Sequence, residues 1–277
     1  MNFSKMHGLG NDFVIINKIN QFFNISSIQI QKLSDRNTGI GFDQLLIVEK
    51  SDDLNFDFFY RIFNSNGSEV SQCGNGARCF AYFVFLKKIT HKKQLVLKTH
   101  TNIIYVKIYN KYQIKVNMGI PVFNPDKIPM LFPEALKKYS IIINSKKIFF
   151  GAVSIGNPHC VIIVNDILKY PIHELGSLIS QHVLFPEQIN VNFIQIINRN
   201  HIIFRVYERG VGETKACGSG ACAAVVVGII QDFLDSKVRV TLLGGDLNIS
   251  WNGLDHAVYM VGPAEHVYDG NINLPII

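Results

Sequence analysis

Two stretches of this sequence set a thiol before a run of small residues: Cys73-Gly74-Asn75-Gly76-Ala77 and Cys217-Gly218-Ser219-Gly220-Ala221. Glycine lets a ligand approach the backbone beside the sulfur closely. Apolar sequence follows each stretch, so each thiol is expected at the start of a buried helix, over 75–88 and 219–234. The first amides of a helix lack internal partners and, with the helix dipole, attract an anion such as a carboxylate. The same position lowers a cysteine's pKa and favours thiolate near neutral pH. Two such starts facing each other across a cleft would grip one carboxylate and set a sulfur on each face of the adjacent carbon. That geometry suits inversion at an α-carbon: one thiolate removes the proton and the opposing thiol returns one. Preorganised amide dipoles in a dry cleft would stabilise the carbanion, beyond the roughly 10²–10⁴-fold of general acid–base catalysis.

His159 and Glu208 are candidate helpers that set which thiol is ionised, because each lies in a polar segment pseudo-equivalent to site residues of the other half. The remaining cysteines, Cys79, Cys160 and Cys222, read as small buried hydrophobes. The spacings Cys-x5-Cys and Cys-x4-Cys on helices suit tetrahedral zinc poorly. Residues 218–223 fit Gly-x-Gly-x-x-Ala, but the segment before them, 209–216, is polar and does not read as the strand a dinucleotide site requires.

The elements that must position these residues repeat once along the chain. Gly10-Asn11 followed by Phe13–Ile16 matches Gly156-Asn157 followed by Cys160–Ile163, at an offset of 146. The two cysteine motifs lie at an offset of 144, in the same order. A domain-sized internal duplication explains both. Alternating apolar and polar residues predict strands over 56–63, 95–99, 103–109 and 113–118, then 149–155, 191–197, 202–207, 238–243 and 257–261. The expected fold is α/β (α+β): two pseudo-symmetric domains, each a β-rich, barrel-like sheet around a central buried helix. Gly119, Pro121 and Pro125 mark the boundary. The halves are then 1–118, rejoined by a C-terminal strand at about 264–277, and 119–263.

The bulk properties agree. At 277 residues the chain suits two domains of about 130–140 residues. No apolar run reaches the ~18–20 residues of a membrane span, and the N-terminus lacks a signal-peptide core. Five cysteines, an odd number in a long chain, point to a reducing cytoplasm. The net charge of +6 comes from scattered lysines without an arginine-rich stripe, so neither nucleic acid nor a membrane is expected as a partner.

Along essentially its whole length the sequence resembles the diaminopimelate epimerases. The resemblance rests on residues 5–13 (KMHGLGNDF), 41–44 (GFDQ), 61–67 (RIFNSNG), 72–79 (QCGNGARC), 156–159 (GNPH), 190–193 (NVNF), 207–210 (YERG) and 214–220 (TKACGSG). It implies epimerisation of LL-2,6-diaminopimelate to the meso form, for lysine and cell-wall precursors, without pyridoxal phosphate or metal. The family's acid–base cysteines fall on Cys73 and Cys217, and His159 and Glu208 match the groups that assist them. Amides of Gly74, Asn75, Gly218 and Ser219 match the cradle of the reacting carboxylate. Asn11, Gln44, Asn64, Asn157, Asn190 and Arg209 match the other substrate contacts, with Glu208 suited to an ammonium. Tyr268 matches a tyrosine of the family's homodimer. Two-cysteine relatives acting on proline derivatives, and a redox switch built on the thiol pair, are the rival readings.

Overall fold

The computed structural model describes residues 1–70 and 73–274. In chain order the elements are β1 (Asn2–Gly8), β2 (Asn11–Asn17), α1 (Ser27–Ser34), β3 (Gln44–Glu49), β4 (Phe58–Asn64), β5 (Glu69–Val70), α2 (Gly74–Leu86), β6 (Gln94–Lys98), β7 (Ile103–Asn110) and β8 (Gln113–Asn117). There follow β9 (Tyr139–Ile143), β10 (Lys146–Ser154), β11 (Pro158–Ile163), α3 (Ile172–Ser180), β12 (Asn190–Asn198), β13 (His201–Glu208), β14 (Gly212–Thr214), α4 (Gly218–Ile230), β15 (Lys237–Leu242), β16 (Gly245–Ser250), β17 (Tyr259–Gly262) and β18 (Glu265–Asn271). They form two compact units: Met1–Val116 with the chain from Gly262 onward, and Asn117–Val261.

Each unit has the same topology. In the first, the strands pair in the order β18-β1-β2-β3-β4-β6-β7-β8, with β2–β3 and β4–β6 parallel and the other pairs antiparallel. In the second the order is β9-β10-β11-β12-β13-β15-β16-β17, with β11–β12 and β13–β15 parallel. Short strands β5 and β14 complete the correspondence as hairpin partners of β4 and β13. The C-terminal strand β18 thus fills in the first unit the place that β9 holds in the second.

The sheets curl around the apolar helices. Helix α2 packs on β18, β1, β2 and β3 and also on β7, near the far end of the strand order. Helix α4 packs likewise on β10, β11, β12, β13 and β16. Both helices bury most of their residues, as largely apolar sequences require. The crossovers β2–β3 and β11–β12 carry α1 and α3, which cover the other sheet faces. Strands β2 and β3 are consequently buried on both faces: Val14, Ile16, Leu45 and Ile47 cluster with Ile30 and Leu33 of α1. Continuous apolar runs of this kind carry no alternation, which is why they read less clearly as strands. Residues 275–277 of the expected C-terminal return lie outside the described residues. Among the described residues no helix is long and apolar enough to cross a membrane.

Candidate active site

In the first unit Cys73 is the N-cap of α2, in extended backbone, and its Sγ accepts the Gly76 amide at 3.2 Å. Gln72, which opens the motif, lies outside the described residues. Asn75 is buried, and its Nδ2 donates to Asn11 Oδ1 at 3.2 Å. Asn11 follows a tight hairpin turn in which Leu9 and Gly10 both take positive φ, as type I′ geometry requires. Its other end is held as well, Nδ2 donating to Asp43 at 2.9 Å. Asp43 is fixed in turn by Arg36, whose guanidinium also forks onto Asp12 at 2.7 and 3.1 Å. Lys5 adds a 2.6 Å ion pair to Asp12. Burial raises the Asp12 pKa, but the Arg36 and Lys5 hydrogen bonds outweigh it and hold the carboxyl well below the usual range. Gln44 and Asn64 face each other in register across β3 and β4, and Gln44 Nε2 donates to Asn64 Oδ1 at 2.8 Å.

In the second unit Cys217 is the N-cap of α4 and only 5% exposed. Its sulfur lies 3.6 Å from Ser219 Oγ. Burial pushes this thiol up, and the nearby Glu208 carboxylate adds to the effect. The expectation that a helix start lowers the cysteine pKa therefore fails here, because desolvation and a like charge outweigh the dipole. Glu208 ends β13 and accepts a hydrogen bond from the Thr214 hydroxyl of β14. The segment 209–216, read from its polarity as no strand, holds the three-residue strand β14. It pairs antiparallel with β13, which still gives no dinucleotide-type strand–helix unit. His159, expected in a polar segment, is instead fully buried in β11 between Asn157 and Asn192. Asn190 Nδ2 donates to Pro158 O and its Oδ1 accepts from the Arg209 amide, so this side chain clamps β11 to the end of β13. The exposed Arg209 donates from Nη1 to Glu187 O at 2.9 Å.

At the start of α2 the structure brings Asn11 to Asn75, and at the start of α4 it brings Glu208 to Cys217. Of the other predicted residues, Gln44 pairs with Asn64, His159 with Asn157 and Asn190 with the Arg209 amide, and the remaining one is Tyr268. That residue lies on β18, 44% exposed, with its ring edge-on to Phe3 at 6.0 Å. The structure also explains the fourth position of both motifs. A Cβ on Gly76 would overlap the Tyr60 hydroxyl, and one on Gly220 would overlap Asn192 Oδ1. Both opposing side chains are buried and cannot withdraw into solvent. The sequence reading passed over Asp43, Tyr60, Thr214 and Asn192. A signal existed for Asn192: residues two apart on a strand share a face, so Asn190 and Asn192 place two amides on one side of β12, amid apolar neighbours.

Comparison with known proteins identifies the family. The family described as Diaminopimelate epimerase matches residues 3–124 and 151–267. A diaminopimelate epimerase of Buchnera aphidicola subsp. Baizongia pistaciae is 55% identical over 272 residues, covering 97% of this chain and 94% of that one. Among solved structures, a hydroxyproline epimerase from Agrobacterium vitis aligns with a TM-score of 0.71 at 10% identity, over 98% of this chain and 91% of that one. A PhzF-family phenazine biosynthesis protein of Bacillus anthracis aligns with a TM-score of 0.69 at 15% identity, over 99% of each chain. These distant structures share the two-domain fold and, at such identities, speak for the fold alone. With a family match over most of the sequence and a relative at 55% identity, this chain belongs to the diaminopimelate epimerase family.

Proposed function

We propose that Cys73 and Cys217 carry the interconversion of LL- and meso-diaminopimelate, the reaction of lysine biosynthesis that family membership gives this chain. One thiolate removes the α-proton and the other thiol delivers a proton to the opposite face. The observation that carries this reading is the repetition itself: each half sets a cysteine as N-cap of its buried helix, before Gly-x-Gly. The halves, 1–118 with about 264–277 and 119–263, then contribute one sulfur each. Amides at Gly74, Asn75, Gly218 and Ser219 suit the reacting carboxylate and its developing charge. Glu208 serves Cys217 as its neighbouring carboxylate, and His159 orders the β11 side.

Asn11, Gln44, Asn64, Asn157 and Asn190 orient the two amino-acid ends. The distal carboxylate goes to Arg209, whose fork is accessible in this structure. The scheme needs only the chain's own groups, in a cytoplasmic homodimer with Tyr268 at the contact. Incubating the reduced protein with diaminopimelate in heavy water tests it. Deuterium should enter the α-position as LL converts to meso. A redox protein would leave the α-proton in place, and a proline-type racemase would label proline instead.

A further inference from the structure

We infer that Asn192 is a positioning residue: it fixes His159 as a neutral imidazole protonated at Nε2, which holds Asn157 with its amide nitrogen directed away from His159, toward substrate. The assignment of Asn157 to substrate rests on the function proposed above; the state of His159 does not.

The hydrogen bonds determine the protonation step by step. Asn192 is 0% exposed on β12. Its Nδ2 donates to the Cys160 carbonyl at 2.8 Å. Turning the amide over would set Oδ1 against that carbonyl with no proton between them, so the nitrogen is assigned. The same nitrogen lies 3.2 Å from His159 Nδ1. An N–H facing Nδ1 demands a lone pair there, which leaves the ring proton on Nε2. Nε2 is 3.0 Å from Asn157 Oδ1, and donates to it. Asn157 therefore spends its oxygen on His159 and keeps both amide protons for a partner, as a substrate carboxylate would need. The chain of contacts runs from two fully buried side chains to a half-buried one.

The surroundings oppose the imidazolium. Its second proton would meet the Asn192 amide protons head to head. Val153 of β10 and Asn190 of β12 flank His159 in register and carry no charge. The charged group it feels is Arg209, of the same sign as imidazolium. Burial first, then Arg209, push its pKa down to about 3, despite the opposing effect of the Asn192 hydrogen bond. Asn192 Oδ1 meanwhile has no hydrogen-bond partner and rests against Gly220, in the first turn of α4. Leaving a buried acceptor unmatched is costly, and holding Nδ2 on His159 and Cys160 is what leaves it so.

The test is spectroscopic. In protein labelled with ¹⁵N-histidine, long-range ¹H–¹⁵N correlation should show one ring, identified by its loss in His159→Gln, as the Nε2–H tautomer unchanged from pH 5 to 8. A ring that is protonated at Nδ1, or that titrates in this window, would overturn the inference. Asn192→Asp replaces the donor by an acceptor. It should draw the proton to Nδ1 and raise KM for diaminopimelate by about tenfold or more, one lost polar contact of about 1.4 kcal/mol. Retention of the Nε2–H tautomer with unchanged KM in a folded Asn192→Asp would refute the positioning role. If that variant does not fold, the wild-type spectrum alone decides. Failure of α-deuteration in the wild type would sink the proposed reaction while leaving the tautomer assignment intact.

Discussion

At the scale of single residues, the two thiols share a motif but not an environment. Cys73 is half-buried and caps the Gly76 amide, whereas Cys217 is buried beside Glu208. Both are needed in a two-base mechanism, since alanine preserves packing but carries no proton. Cys73→Ala and Cys217→Ala should each lose at least about 10²–10⁴-fold in epimerisation with unchanged circular dichroism. Near wild-type turnover in either would refute the mechanism. Because the Cys217 pKa is raised, this thiol stays protonated through the ordinary thiol range and becomes reactive only as pH rises beyond it. Iodoacetamide labelling of Cys217 in the substrate-free protein, followed by peptide mapping, should still be climbing above pH 9. A plateau by pH 8 would contradict the assigned environment.

At the scale of elements, the first unit ties its β1–β2 turn together through charge. Lys5 of β1, Asp12 of β2, Arg36 after α1 and Asp43 before β3 form one cluster, and Asn11 hangs from it. The Asp12 pKa is depressed in the folded chain. Its contribution is therefore fully present above the unfolded value, near 3.9, and fades as pH falls through the folded value. Asp12→Asn should cost roughly 2–3 kcal/mol at pH 7, read as a shift in the denaturation midpoint. The gap between variant and wild type should shrink as pH falls below about 4. A gap independent of pH down to 2 would mean that the ion cluster does not stabilise the fold. The variant should also raise KM, because Arg36, which holds Asp43 beside Asn11, loses one of its two carboxylate partners.

At the scale of the whole molecule, duplication leaves the first unit one strand short, and β18 supplies it. The return is also anchored inside the unit, where Arg78 of α2 donates from Nε to Pro263 O at 3.1 Å. Ending the chain after Val261 should therefore expose the edge of β1 and strip its amides of hydrogen-exchange protection, with loss of soluble folded protein. Protection in β1 equal to that of the full chain would show that β18 is dispensable. On the outer part of this strand Val267 and Tyr268 stand half-exposed, in keeping with the proposed dimer contact. Tyr268→Ala should convert the dimer to monomer in sedimentation velocity, and an unchanged mass would remove Tyr268 from the interface.

What the sequence determined by itself was whatever is local or repeated. The two Cys-Gly-x-Gly starts, the all-apolar helices behind them and the alternating strands β7, β13 and β15 depend on neighbours along the chain, and they are found where composition and period put them. Their recurrence at nearly one offset announced the duplication and led to the family. Tertiary structure decided what depends on desolvation and on distant partners. The polarity of the segment around His159 gave no warning that β11 buries the ring, because burial comes from β10 and β12 closing on either side. Nor could the motif alone distinguish Cys217 from Cys73: a helix start favours thiolate in both, but Glu208 and a dry surround reverse that preference at Cys217. The role of Asn192 stayed hidden for the same reason, since it depends on which atoms the amide's two ends meet, and only the pairing of β11 with β12 and the packing of α4 on them bring Cys160, His159 and Gly220 to it.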